Sequence, residues 1–209
     1  MREDIYDALK SRIVEGFYRP GELIRESDVA QEFQVSRTPV REIFQNLQRD
    51  RLITLIPNRG AQVTYLELDF FMELVVVKRA MESLSARLAC RWATAADVKA
   101  LREIVERCKG YQLPDDYLKV LEDDAQFHRS VCRAGRNRLL GDLMRELEVH
   151  MDRFYFFTEY ITQEMLQEFI RDFEVIIQAI EERDGDRASR AAEAHLDQYY
   201  DIIKERLRG

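Results

Sequence analysis

"VSRTPVREIF", residues 35–44, gathers Ser36, Arg37, Thr38 and Arg41 around Pro39, at the start of a run with helical spacing. Ser36 fits an N-cap. A proline is tolerated inside a first helical turn, where its missing N–H has no partner to lose. Arg37 and Arg41, four apart, share one face, and Val40, Ile43, Phe44 and Leu47 point inward, away from it. Residues 36–49 hold three arginines against Glu42 alone. Two arginines on a helix ordinarily mean a solvated surface, so the flanking sequence has to decide.

Upstream, Ile5, Leu9, Ile13 and Val14 mark a helix over residues 3–15, ended by Gly16. "YRPGELI" (18–24) reads as a turn about Pro20-Gly21, and Ser27 and Asp28 open a short helix with Val29, Ala30 and Phe33 as its apolar face. Downstream of Asp50, the β-rich runs "RLITLI" and "GAQVTY" are joined by "PNRG", a hairpin. Three helices and a hairpin make a winged helix-turn-helix, with the helix after Ser36 in the recognition slot. There arginine forks match guanine O6 and N7, hydroxyls and free N–H groups take phosphate, and Arg59 at the hairpin tip suits a minor groove.

From Leu66 the pattern is helical throughout, with helices expected at 67–92, 95–110, 115–134, 138–159, 163–183 and 187–207. Thr94 with Asp97 has capping-box spacing, and Pro114, Gly135/Asn137, Thr162 and Asp184-Gly185 supply the other breaks. The expected fold is therefore mainly α: a winged helix-turn-helix over 1–65 and an all-α helical bundle over 66–209.

The 209 residues carry a net charge of −7, all of it beyond residue 64, because residues 1–64 balance ten basic against ten acidic side chains. Any nucleic-acid surface must be a local concentration of arginine in the first third. No apolar run approaches a bilayer span, and "MREDIYDALK" lacks an apolar signal core, which leads us to expect a cytoplasmic protein without a membrane partner. Cys90, Cys108 and Cys132, with no CxxC spacing, read as buried or free thiols in a reducing compartment.

Residues 20–63, "PGELIRESDVAQEFQVSRTPVREIFQNLQRDRLITLIPNRGAQV", closely resemble the DNA-binding domain of GntR-family bacterial transcription regulators. The resemblance implies DNA contacts at Ser36, Arg37, Thr38 and Arg41, with Asn58, Arg59 and Gly60 at the wing tip. Gln34 and Arg51 stand where that family usually has glycine, which implies a less relaxed backbone. "KRAMESLSARLA" (78–89), "DAQFHRSVCRAGRNRLL" (124–140) and "FEVIIQAIEERDGDRASRAAEAHL" (173–196) resemble the helical effector domain of the FadR branch. That resemblance implies a small organic acid or related metabolite as effector, often beside a metal ion held by an Asp and a His four apart and by one His from each of the last two helices.

Asp124 and His128 have that spacing on one helix face. In a helical hairpin turning at Asp184, residues 173 and 195 lie level, each about 16 Å from the turn at 1.5 Å per residue. His195 is there, opposite Phe173, which cannot ligate. Two readings stay open: a weak site for Zn, Ni, Mn or Fe on Asp124, His128 and His195, or a hydrogen-bonded polar cluster without metal. His150, on the stripe of Leu143, Leu147 and Phe154, is a buried histidine or a replacement ligand. Lys78 or Arg79 could neutralise an effector carboxylate beside His128, Phe173 and His195, or could be solvated. "RFYFFTEY" (153–160) reads as core and dimer interface rather than ligand box.

The expected function is a homodimeric, ligand-responsive regulator, most often a repressor in this family, on a palindromic operator in double-stranded DNA. A metal-dependent helical-bundle enzyme and an effector-free DNA-binding protein are the alternatives. Phe173 and the absence of nucleophile, P-loop and GxGxxG motifs count against the enzyme.

Overall fold

A computed structural model describes residues 2–158 and 161–208. The chain opens with α1 (Arg2–Val14), whose Ile5, Leu9 and Ile13 are buried on one stripe before Gly16 ends it at φ 75°. After the Pro20-Gly21 turn comes a two-residue strand, β1 (Leu23–Ile24), then α2 (Glu26–Glu32) and α3 (Arg37–Arg49). Val40, Ile43, Phe44 and Leu47 of α3 are all buried, as the helical spacing requires.

The hairpin forms as expected from β2 (Ile53–Ile56) and β3 (Gly60–Val63), in the register Ile53↔Val63 to Ile56↔Gly60. In its tip Arg59 N donates to Ile56 O at 3.0 Å, and Asn58 has φ 60°, which fits a type II turn with proline second and asparagine third. The segment 18–24, read from sequence as turn alone, also contributes β1, which pairs antiparallel with β3 and makes the sheet order β1-β3-β2. Two residues show no periodicity. The pairing depends on Gly60, where a Cβ would stand 2.3 Å from Ile24 O.

Three further details differ from the sequence reading. Ser36 sits at the N-cap of α3 with extended backbone, but its side chain makes no capping hydrogen bond. Because α3 starts at Arg37, Pro39 falls at the third helical position, still among the orphan N–H groups. Helix α2 begins at Glu26, one residue before the expected start at Ser27, with Arg25 at its N-cap. Gln34 and Arg51 adopt φ 54° and 56°, the left-handed conformation that glycine tolerates best. Each closes a helix end: Val35 N reaches Ala30 O, and Leu52 N reaches Leu47 O, both at 3.0 Å.

The remaining helices are α4 (Leu68–Trp92), α5 (Ala95–Cys108), α6 (Tyr117–Ala134), α7 (Arg138–Thr158), α8 (Gln163–Glu181) and α9 (Gly185–Arg208). Their starts follow the chemistry of the breaks. Thr94 and Asp97 form the capping box, Thr162 accepts from Met165 N, and Asp184 accepts from Arg187 N. Arg183, at φ 61°, donates to the carbonyls of Cys90 and Ala93 and so satisfies the end of α4.

The chain forms two compact units. The first ends at Glu67 and takes in Asp152–Phe157; the second comprises Leu68–Met151 and the chain from Thr158. In the second, α4 packs on α6, α8 and α9, and α5 on α6 and α8, around Phe127, Phe169, Phe173, Ile177 and Leu196. The three cysteines are buried and free. Of the 153–160 aromatic run, Phe154 and Tyr155 are buried, and residues 159 and 160 lie outside the described residues. No helix among the described residues is long and apolar enough to cross a membrane.

Candidate functional site

In the first unit, the start of α3 and the wing enclose an open hollow of about 910 Å³. Arg37, Arg41, Asn58, Arg59 and Gly60 line it, and Ser36 and Thr38 are exposed on the same first turn of α3. Two residues not singled out from the sequence join them. Arg25, exposed at the N-cap of α2, lines the hollow, and Glu26 beside it holds Arg41, with Oε2 2.9 Å from Nε. No ion pair or side-chain hydrogen bond engages Arg25, Arg37 or Arg59 among the described residues. Three uncompensated guanidinium groups around one concave surface attract a polyanion and offer it planar, bidentate donors. Arg25 was hard to see because "IRES" reads equally as an ordinary helix start.

In the second unit, four helices deliver polar side chains to one enclosed point. Asp124 and His128 come from α6, His195 from α9, and Lys78 and Glu82 from α4, all buried; α8 adds Phe173 and Asp172. Asp124, His128 and His195 each offer a ligand atom, and these atoms lie within 4.8 Å of one another. The outer nitrogens are already occupied: His128 Nδ1 is 2.8 Å from Glu82 Oε2, and His195 Nδ1 is 3.1 Å from Asp172 Oδ2. Nε2 of each ring is thereby the available donor, an arrangement that orients metal-ligating histidines. Asp124 Oδ1, fully enclosed, has no hydrogen-bond partner and lies 3.6 Å from His128 Nε2. An orphaned carboxylate oxygen beside two oriented imidazoles fits a divalent cation.

The same centre also balances its own charge. Lys78 Nζ is 2.7 Å from Glu82 Oε1, so Glu82 bridges an ammonium and an imidazole. Burial works against every charge here, yet Glu82 and Asp124 hold His128 protonated above the ordinary histidine range, while His128 and Lys78 keep Glu82 ionised. Phe173 occupies the place level with His195, with ring centroids 5.1 Å apart, and supplies an apolar wall. Of the residues expected around an effector, Lys78, His128, Phe173 and His195 meet at this centre. Arg79 sits apart at the bundle surface, paired with Glu193 and Asp197 of α9. His150 packs edge-on against Phe70, 5.4 Å between centroids, outside the Asp124–His128–His195 group. Glu82 and Asp172 escaped the sequence reading; Glu82 left a signal, an i,i+4 partner to Lys78 on an apolar face, and Asp172 left none.

Comparison with known proteins decides what these two sites belong to. The family model "Bacterial regulatory proteins, gntR family" matches residues 1–63, and the FCD domain model matches residues 73–198. The chain is a GntR-family regulator with an FCD domain. This regulator is similar to the HTH-type transcriptional repressor RspR of Escherichia coli strain K12, at 28% identity covering 98% of this chain and 90% of RspR. It is also similar to the galactonate operon transcriptional repressor of the same strain, at 27% identity covering 88% of each chain. Among solved structures, E. coli McbR/YncC superposes with a TM-score of 0.80 over 99% of this chain and 98% of that one, at 18% identity, a likeness of fold. The protein is thus a DNA-binding transcription regulator, with the arginine-lined hollow in its GntR domain and the His/Asp centre in its effector-binding FCD domain.

Proposed function

We propose that this regulator is a cytoplasmic repressor that binds a palindromic operator as a homodimer, residues 1–65 reading DNA and residues 66–209 binding a small organic carboxylate. The observation that carries the DNA half is the concave surface shared by Arg25, Arg37, Arg41 and Arg59, of which Arg41 alone is paired with an acid among the described residues. Ser36, Arg37, Thr38 and Arg41 would meet bases and phosphates in the major groove, and Asn58, Arg59 and Gly60 would follow the neighbouring backbone or minor groove. One recognition helix reads only a few base pairs, so specificity favours two copies on a two-fold site.

The effector half rests on Asp124, His128 and His195, which would hold a divalent Zn, Ni, Mn or Fe ion weakly, with Phe173 where a fourth ligand would complete the shell. Such an ion would present open coordination positions to an anionic oxygen. Lys78 is already satisfied by Glu82, so it sets the charge of the centre more than it grips a ligand. The operon named for the galactonate repressor concerns a hydroxy acid, the ligand class this centre suits.

Genomic DNA fragments selected by the purified protein, followed by fluorescence anisotropy with and without a panel of hydroxy-carboxylates, test both halves. A short palindrome among the selected fragments, and a carboxylate that shifts its affinity, are expected. Selected fragments without two-fold symmetry, or affinities indifferent to every carboxylate and metal tried, would overturn the reading.

A further inference from the structure

The FCD domain is acidic, yet residues 129–145 contain five arginines and a single acid, Asp142. These arginines converge. The last turns of α6 and the first turns of α7 meet at the Gly135–Asn137 break and enclose a second open hollow, of about 760 Å³. Arg129, Arg133 and Arg136 line it from α6 and its end, and Arg138 and Arg145 from α7; buried Cys132 and Met144 form its apolar floor.

Their charges are unequally satisfied. Arg136 is bound to Asp97 at 2.5 Å, Arg145 to Asp142, and Arg129 more loosely to Glu148 at 3.4 Å. Arg133 finds only the Ser130 hydroxyl, and Arg138 has no hydrogen bond or ion pair among the described residues. Clustered guanidinium groups repel one another, and their neutralisation by a bound anion removes that cost. The amino terminus of α7, a helix of 21 residues, adds its partial positive charge at the same opening. Asn137 caps that helix through Leu140 N at 3.2 Å and fixes where Arg138 begins.

We propose that this hollow is a second ligand site, distinct from the His/Asp centre, for a small molecule bearing a phosphate monoester. The chemistry selects phosphate over carboxylate. A carboxylate has two oxygens and one charge, enough for a single guanidinium fork. A phosphate monoester carries about two charges near neutral pH and three terminal oxygens, enough to engage Arg133 and Arg138 together. The Cys132–Met144 floor gives the organic part of an ester an apolar surface, which free phosphate would leave uncovered.

Isothermal titration of the full chain with inorganic phosphate and with phenyl phosphate, at constant ionic strength set by chloride, tests the site. Saturable binding of one equivalent is expected, tighter for the ester. The double variant Arg133→Ser/Arg138→Ala should weaken it about tenfold or more, as loss of charge-assisted hydrogen bonds does. Both positions are exposed, so the variant should keep the wild-type circular dichroism and melting temperature. Arg171→Ala, at an exposed arginine outside the sites described, should leave binding unchanged, which separates this hollow from unspecific surface charge. Three results would each overturn the proposal: no saturable heat, equal affinity in the double variant, or loss of the dimer in that variant by light scattering, which would assign these arginines to a subunit interface.

Discussion

Phe173 lies flat on Phe127, with ring centroids 3.7 Å apart and planes 11° from parallel, and its remaining surface faces His128 and His195. A stacked ring fills the place level with His195, so the centre has three donors and one apolar wall. Phe173→His should cost the metal-free protein about 1–3 kcal/mol through the lost stack and a newly buried polar ring. It should also convert the centre into one that keeps Zn or Ni through dialysis, while the wild type loses them. Stoichiometric metal in dialysed wild-type protein would show that Phe173 does not weaken the shell.

Metal uptake should release a proton. Glu82 and Asp124 hold His128 protonated above the ordinary histidine range, against the effect of burial, and an imidazolium cannot ligate. Affinity should therefore fall as pH is lowered, and rise until His128 is neutral in the free protein. Calorimetry in buffers of different ionisation enthalpy reads the proton directly; identical heats in all of them would contradict this.

Arg37→Ala should cost roughly 1–3 kcal/mol in operator affinity and relax base preference. Arg37 makes no ion pair among the described residues, so the melting temperature should stay within about a degree of wild type, since surface changes are worth under ~0.5 kcal/mol. Anisotropy titrations on the operator and on a scrambled duplex check it. Equal loss on both duplexes would make Arg37 a phosphate contact and remove it from base reading.

Gly60→Ala places a methyl 2.3 Å from Ile24 O at φ 110°, and neither the strand backbone nor the turn can yield cheaply. About 1–3 kcal/mol of stability should go, together with operator affinity, because the wing tip and Arg59 move when β1 and β3 part. Urea unfolding and anisotropy on one preparation measure both.

Light scattering at micromolar concentration should give the mass of a dimer, and operator half-sites should lie about one helical turn apart. A monomer that persists with operator present would refute the two-fold arrangement.

Much of this was legible in the chain before any coordinates. The winged helix-turn-helix showed itself because its signals are local: the proline-containing first turn of α3, the "PNRG" tip, and four inward residues on one helix. The pairing of positions 173 and 195 was legible because an antiparallel helical hairpin obeys simple arithmetic about its turn. What stayed hidden depends on side chains arriving from distant elements. Asp172 supports His195 from one residue before an aromatic, with no spacing that announces it, and the i,i+4 spacing of Glu82 to Lys78 says nothing of His128 on another helix. Strand β1 was missed for a related reason, since two residues become a strand only where Gly60 lets a neighbour approach.

The three unpaired arginines of the first hollow bear on how the regulator moves through a genome. Each phosphate they neutralise expels roughly one condensed counterion, so affinity for arbitrary duplex falls by a power of the salt concentration equal to about the number of contacts. The chain carries −7 overall, and its first 64 residues are neutral, so little positive charge outside its arginine-lined hollows assists a misplaced encounter. At an ionic strength of about 0.15 M the protein should therefore leave random sequence quickly and spend little time sliding. Most of its copies would then be freely diffusing between visits, where a dissolved metabolite can reach them before the operator does.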